Sequence, residues 1–330
     1  MNRKSYTRNP ITGNVGRAGK WMAAGTLAVI LSAAPGAQAA PKNEKTCEKI
    51  ARFARSAGNH EALDDLWIAL GAAQTYPDAK KRKELVKDAR EEYREARRLV
   101  KDQYKARLEL CDKLGEARYH PKINPKEFLK PKQIAANPNP LFPLVPGTTY
   151  VYEGKSKDGK ETIRVHVTDE TIKIRGVSCI VVEDTVWEGD EVVEDTDDWY
   201  AQDKDGNVWY FGELTFEYED GEIVGIEGSW KTGQDGAKPG IVMPAAPKVG
   251  VTYRQEFLLG EAEDAATVLA LDEAVDTKYG SFKNCLKTAD FTPIEPDALE
   301  HKFYAPGVGF VLETKPGTKE RVELVSIRRK

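Results

Sequence analysis

An α+β chain is predicted: an N-terminal α-helical hairpin, then a large antiparallel β-meander whose sheet is curved, opens as a barrel or packs as a sandwich. Three observations predict it. Apolar residues repeat at three- and four-residue steps up to Gly115, and at every second residue from Thr148 onward. Seven prolines between Pro121 and Pro146 separate the two regimes. Asp-Gly and related turn pairs then punctuate the alternating part at short intervals. The division is a leader at 1–39, a helical hairpin at 40–118, a Pro-rich linker at 119–147 and an antiparallel β domain at 148–330.

Arg3, Lys4, Arg8, Arg17 and Lys20 form a basic leader without an acid, followed by the apolar run Trp21 to Ala34 and the small-residue signal Ala37-Gln38-Ala39. That three-part pattern is a secretory signal peptide. The expected location is secreted or periplasmic, after cleavage near Ala39. No later run is apolar enough to cross a bilayer, so no transmembrane segment is expected after cleavage. Without the leader's five bases, the 49 Lys and Arg become 44 against 53 Asp and Glu, a net charge of −9. A balance this acidic argues against nucleic acid as a partner.

The helical part runs from Thr46 to Gly115. Leu63, Leu66, Trp67, Leu70 and Ala73 line one face of its first arm. Thr75-Tyr76-Pro77-Asp78 breaks the helix, and Asp78 caps the next. Val86, Ala89, Tyr93, Ala96 and Val100 line the second arm, with Tyr104, Leu108, Cys111 and Leu114 beyond. The midpoint of Cys47 and Cys111 falls beside Pro77-Asp78, so two antiparallel helices would bring these cysteines together. A disulfide there would close the open end of the hairpin and contribute about 4 kcal/mol on the chain-entropy model. Gly58-Asn59 offers an alternative break, and with it three shorter helices. Proline excludes helix from the linker, which reads as extended connecting chain. From Ala40 to Ala135 there are 23 bases and 16 acids; from Ala136 on there are 21 and 37. Two solvated surfaces account for this, as does docking of the basic hairpin on the acidic part.

About a dozen strands are expected from Thr149 to Ile327, with Thr232 to Gly250 as the longest irregular stretch. Cys179 and Cys285 each fall in a strand run. They form either a cross-strand or inter-sheet disulfide or two small buried residues.

Common catalytic signatures are absent: no G-x-S-x-G, H-E-x-x-H, Walker A loop or G-x-G-x-x-G. His60, His120, His166 and His301 are too scattered for a His-rich metal site. Eleven carboxylates lie between Glu183 and Asp205 with one base, Lys204. Asp195, Asp197, Asp198, Asp203 and Asp205 are therefore the candidate cation ligands, with calcium as the ion. Asp203-x-Asp205-Gly206-Asn207 places oxygens on a turn as calcium loops do. A plain solvated hairpin turn explains the same residues. Glu256, Glu261, Glu263 and Asp264 are a second carboxylate group, suited to glycosidic acid–base work if two converge. Glu300 and His301 are a third, although strand neighbours point to opposite faces. Trp187, Trp199, Trp209, Tyr200, Tyr210 and Phe211 supply core on one face and a stacking surface on the other.

The runs Asn139–Gly154 (containing PGTTYVYEG), Glu194–Glu213 (containing DWYAQDKDGNVWYFGE), Gly260–Ala266 and His301–Gly309 (ending YAPGVG) resemble a family of exported bacterial proteins of unassigned function. The resemblance covers nearly all of the β part and brings no site residue with it. The YAPGVG ending is similar to that of exported β-sheet proteins whose sheets curve into open barrels, which implies a ligand-cradling sheet. The expectation is a non-catalytic binding or structural protein of the cell envelope. Its partner would be an envelope component, a lipid-like ligand or a protein. The alternatives are a secreted hydrolase using two or more of Asp198, Asp203, Glu256, Glu263 and His301, and a calcium-stabilised adhesive module.

Overall fold

The computed structural model describes residues 45–155 and 159–329; the leader at 1–39 lies outside them. Helix α1 (Thr46–Ala73) and helix α2 (Ala79–Leu114) form the hairpin. Asp78 starts α2, its carboxylate accepting from the Lys81 backbone N–H at 2.6 Å. Cys47 and Cys111 are disulfide-bonded and close the open end.

The packing face of α1 overlaps only in part with the one that apolar residues mark in the sequence, with Leu66 and Leu70 half-buried and Leu63 and Trp67 exposed. Ala51, Ala62 and Ala73 are buried, while Trp67 and Ile68 are each 64% exposed. A Cβ on Gly58 would stand 2.8 Å from a methyl of Val100 on α2. Small residues let the two backbones approach closely, and the bulky side chains are displaced to the outside.

The Pro-rich segment is more than extended chain. Pro131 opens a short helix, α3 (Pro131–Ala136). Proline is tolerated at the first helical position because that N–H has no intrahelical partner. Ile134 and Leu144 from this segment are fully buried. Leu129 N–H donates to the Gln202 carbonyl at 2.9 Å, and Phe128 bridges to Asp203.

Fifteen strands follow among the described residues: β1 (Thr149–Lys155), β2 (Lys160–Ile174), β3 (Val177–Glu188), β4 (Glu191–Gln202), β5 (Val208–Glu219), β6 (Glu222–Gly225), β7 (Trp230–Lys231), β8 (Lys238–Met243), β9 (Thr252–Arg254), β10 (Glu256–Phe257), β11 (Ala265–Asp276), β12 (Ser281–Phe291), β13 (Leu299–Ala305), β14 (Gly309–Thr314) and β15 (Arg321–Arg328). Strand β8 crosses the stretch that the sequence leaves irregular. All belong to one sheet of order β10-β8-β5-β4-β3-β2-β1-β15-β14-β13-β12-β11-β9, with β6 and β7 also paired to β5. Strands β9 and β10 stand at opposite ends of that order, yet only Gln255 separates them in the chain. The sheet therefore curls until its ends meet, and it is nearly closed into a barrel. Pairing is antiparallel, as hairpin connections require; at Asp220-Gly221 both residues take positive φ (52° and 78°), the conformation of a tight hairpin turn.

Two apolar clusters result. The large one fills the barrel and includes Ile163, Val167, Tyr200, Tyr210, Val268 and Leu324, with Ile134 and Leu144 of the Pro-rich segment. The small one lies on the outer face, where Ile123 and Phe128 pack over Ile174, Val177, Trp199 and Phe211. Cys179 belongs to the small cluster and Cys285 to the large one; both are buried free thiols. The disulfide considered for this pair does not form, because the two side chains sit in different clusters.

The basic hairpin docks through a buried ion pair. The Arg107 guanidinium donates to both oxygens of Glu263, with Nη2 at 2.6 Å and Nε at 3.0 Å. Gly260 N–H donates to the same carboxylate at 2.8 Å, and Gln103 Nε2 reaches the Ile294 carbonyl at 2.8 Å. The contact falls at Glu263, away from the Asp195–Asp205 face.

Candidate functional site

Strand alternation decides which side chains enter the barrel. The pairing register puts Val165 beside Asp184, Val182 beside Asp198 and Asp184 beside Thr196. Asp198 faces Glu213, and Tyr200 faces Tyr210. Around the other side, Thr288 pairs with Lys302, Asp290 with Glu300 and Lys302 with Glu313. All these share the inner face with the apolar core. The lumen thus carries Glu161, Asp184, Asp198, Glu213, Asp290 and Glu313, each at most 9% exposed.

On one wall these acids surround an ammonium. Lys302 Nζ lies 3.9 Å from Asp290, 3.9 Å from Glu300 and 3.8 Å from Glu313. Burial works against the Lys302 charge, but Asp290, Glu313 and Glu300 outweigh it and hold the amine above its usual range. Gln255 Nε2 donates to Asp290 at 2.9 Å, and the Thr288 hydroxyl donates to its other oxygen. Burial pushes the Glu300 carboxyl up to about 7, with Lys302 opposing the shift and Asp290 adding to it. Burial, then Glu300, also drives Glu313 well above the carboxylate range.

Across the cavity, on the β3–β4 wall, Asp184 and Asp198 form no ion pair among the described residues, although Lys302 lines the same space. Tyr210 Oη donates to Asp198 at 2.5 Å, and Thr196 and Thr215 hydroxyls meet at 3.0 Å. Asp184 is 3% exposed, and neither of its oxygens has a hydrogen-bond partner among the described residues. Burial, reinforced by Asp198 and Glu194, drives its carboxyl well above the usual range. Burial and Glu213 do the same to Asp198, against the hydroxyls of Tyr210 and Tyr200. Nearer one rim, Glu161 has no hydrogen-bond partner either; burial, with Glu188 and Glu194 adding, raises it to about 8.

Between the walls is a cavity of about 60 Å³. Asp184, Asp198 and Lys302 line it with Tyr150, Tyr152, Tyr200 and Tyr304, and Phe142, Pro143 and Leu144 cover it from the Pro-rich segment. Two of the aromatic pairs around it are Tyr200–Tyr210, stacked with centroids 4.8 Å apart, and Tyr152–Phe310 at 5.1 Å. Chemically, such a site holds protons on its carboxyls or accepts hydrogen bonds from a cation.

The acids that the sequence marks for a cation do not converge. Asp198 enters the lumen. Asp195 accepts from the Thr185 hydroxyl at 2.9 Å, and Asp197 is exposed on the other face of the strand. Asp203 is committed to its own hairpin: it accepts from the backbone and side-chain nitrogens of Asn207, each at 2.9 Å, and from Trp209 Nε1 at 2.8 Å. Asp205 stands exposed at the turn. Among the described residues, no three His, Cys, Asp or Glu side chains are placed to hold a metal ion. The second carboxylate group also divides. Glu263 binds Arg107, Glu256 is buried near Glu213 and Asp264, and Glu261 is exposed. His301 and Glu300 point to opposite faces. The aromatics split by parity, with Trp199 and Phe211 outside under the Pro-rich segment and Tyr200 and Tyr210 inside. Sequence reasoning missed Glu161, Asp184, Asp290, Lys302 and Glu313. Their signal is a charge at an apolar-parity position: Asp184 sits in the row Val182, Asp184, Val186, and Glu161 heads the row Ile163, Val165, Val167.

No helix among the described residues is long and apolar enough to cross a membrane. No family model matches the chain, and no curated protein matches it. Among solved structures, the chain is similar to one from Parabacteroides distasonis described as a "putative lipoprotein", at 13% identity over 57% of this chain and 98% of that one, with a TM-score of 0.32. A superposition that loose carries no argument about what this chain does.

Proposed function

We propose that this is an exported, non-catalytic binding protein of the bacterial cell envelope that takes a small ligand inside its barrel. The observation that carries the reading is Asp184, a buried carboxylate without a hydrogen-bond partner among the described residues, lining a cavity walled by tyrosines. Folding does not favour such a group unless it is neutralised or paired, because desolvating a carboxylate is costly. The leader pattern at 1–39 and the Cys47–Cys111 disulfide support export, since such bonds persist in oxidising compartments. A lipid-like ligand fits less well: drug-sized ligands occupy roughly 300–1,000 Å³, against about 60 Å³ here. Of the hydrolase candidates, Asp198 and Glu256 both lie beside Glu213, whereas Asp203 is committed to its own hairpin and Glu263 to Arg107. Native mass spectrometry of mature protein purified from its own host tests the reading. A mass excess that disappears on denaturation supports it, and a mass equal to the bare chain counts against it.

A further inference from the structure

We propose that the β3–β4 wall of the lumen binds a small ammonium-type cation, an ammonium ion or a one-carbon primary amine, with Asp184 and Asp198 as acceptors. This rests on the reading of the lumen as a binding site and names its ligand class. The protein itself supplies a precedent for the arrangement of charge, at ion-pair and not hydrogen-bond distances. On the β12–β14 wall three carboxylates gather around one ammonium, that of Lys302, with oxygens 3.8 to 3.9 Å from it. The β3–β4 wall of the same cavity repeats the acceptors: Asp184 and Asp198 line it, with Glu213 paired beside Asp198. Both Asp184 oxygens lack a donor among the described residues, although the side chain is almost wholly buried. An N–H-bearing cation satisfies such oxygens directionally and neutralises them at once.

Size and surroundings narrow the class. A buried water needs about 10–15 Å³ of cavity space, so a cavity of about 60 Å³ holds a few water-sized groups, room for an ammonium or a methylammonium but not for a drug-sized ligand. Tyr150, Tyr152, Tyr200 and Tyr304 line the same space, and aromatic faces attract desolvated cations. A metal ion fits the site poorly, since no three acidic, His or Cys side chains are arranged around one point among the described residues.

The test is a thermal melt of the mature protein at pH 8 and constant ionic strength, with methylammonium, potassium or tetramethylammonium chloride. Methylammonium should raise the melting temperature with the logarithm of its concentration once above the dissociation constant, by about 3 °C at ten times that constant. Potassium, which lacks N–H donors, and tetramethylammonium, which lacks donors and is too large, should leave it unchanged. Asp184→Asn should abolish the methylammonium shift. An equal shift with potassium, an undiminished shift in D184N, or no shift with methylammonium overturns the proposal. If D184N does not fold, the selectivity series on the unmodified protein decides alone. A flat methylammonium response together with a ligand found by native mass spectrometry sinks the cation assignment and leaves the lumen reading standing; a flat response with a bare-chain mass sinks both.

Discussion

Glu161→Gln should flatten the fall in stability between acid and mildly alkaline pH. Glu161 is 1% exposed, its two oxygens have no hydrogen-bond partner among the described residues, and Glu188 is paired directly across from it. Burial, with Glu188, Glu194 and Glu300 adding, raises its carboxyl from the ordinary 4.5 to about 8. The direction follows from linkage. Below about pH 4.5 the group is protonated in both folded and unfolded chains and has no effect on the balance. Above that pH the unfolded chain ionises while the folded one stays neutral, so stability declines until the folded group ionises near pH 8. A tenfold difference in proton affinity between the folded and unfolded chains corresponds to about 1.4 kcal/mol, so the window from 4.5 to 8 removes on the order of 5 kcal/mol. Glutamine keeps the shape of the neutral carboxyl and does not titrate. Urea unfolding of both proteins at several pH values is the assay. Equal stabilities near pH 4.5, diverging in favour of E161Q by several kcal/mol at pH 8, are expected. Parallel profiles would refute the reasoning, because the buried carboxyl would then not be held neutral by the fold.

Arg107→Ala should cost about 3–5 kcal/mol by taking the paired guanidinium from buried Glu263, leaving only Arg254 near it, and hydrogen exchange should show α2 released from the barrel near its disulfide end. Replacing both Cys47 and Cys111 with serine should lower stability by about 4 kcal/mol. Alkylation of the denatured, unreduced mature protein should label Cys179 and Cys285 and spare Cys47 and Cys111; labelling of neither Cys179 nor Cys285 would contradict the separation of the clusters. Asp203→Ala removes the acceptor for three donors in the Asp203–Asn207 turn and should destabilise the protein by about 1–3 kcal/mol without any calcium dependence of the wild-type melting temperature. A rise in that temperature with calcium would instead revive Asp203 and its neighbours as cation ligands.

By itself the sequence determined the elements. The change from helical to alternating periodicity, the Pro77-Asp78 break midway between Cys47 and Cys111, and the turn pairs along the second half are local signals, set by backbone sterics and side-chain period. The helices, the disulfide that joins them and most strands lie where those signals put them. Which face of each element is enclosed depends instead on packing between elements. On α1 a Gly58–Val100 contact brings the backbones together and turns Trp67 outward, an outcome that residue size in the partner helix controls. In the sheet, closure at Gln255 and the covering of one outer face by Ile123 and Phe128 bury both sides of β3 to β5. Alternation between apolar and polar residues then no longer separates core from solvent. Asp184 and Glu161 become interior carboxyls, while Asp195 and Asp197 remain outside. The carboxylate-rich run that stands out in the sequence is therefore divided by the pleat, and the lumen site is assembled from strands far apart in the chain. Contacts that depend on register and closure leave no local signature beyond a single acid in an apolar row.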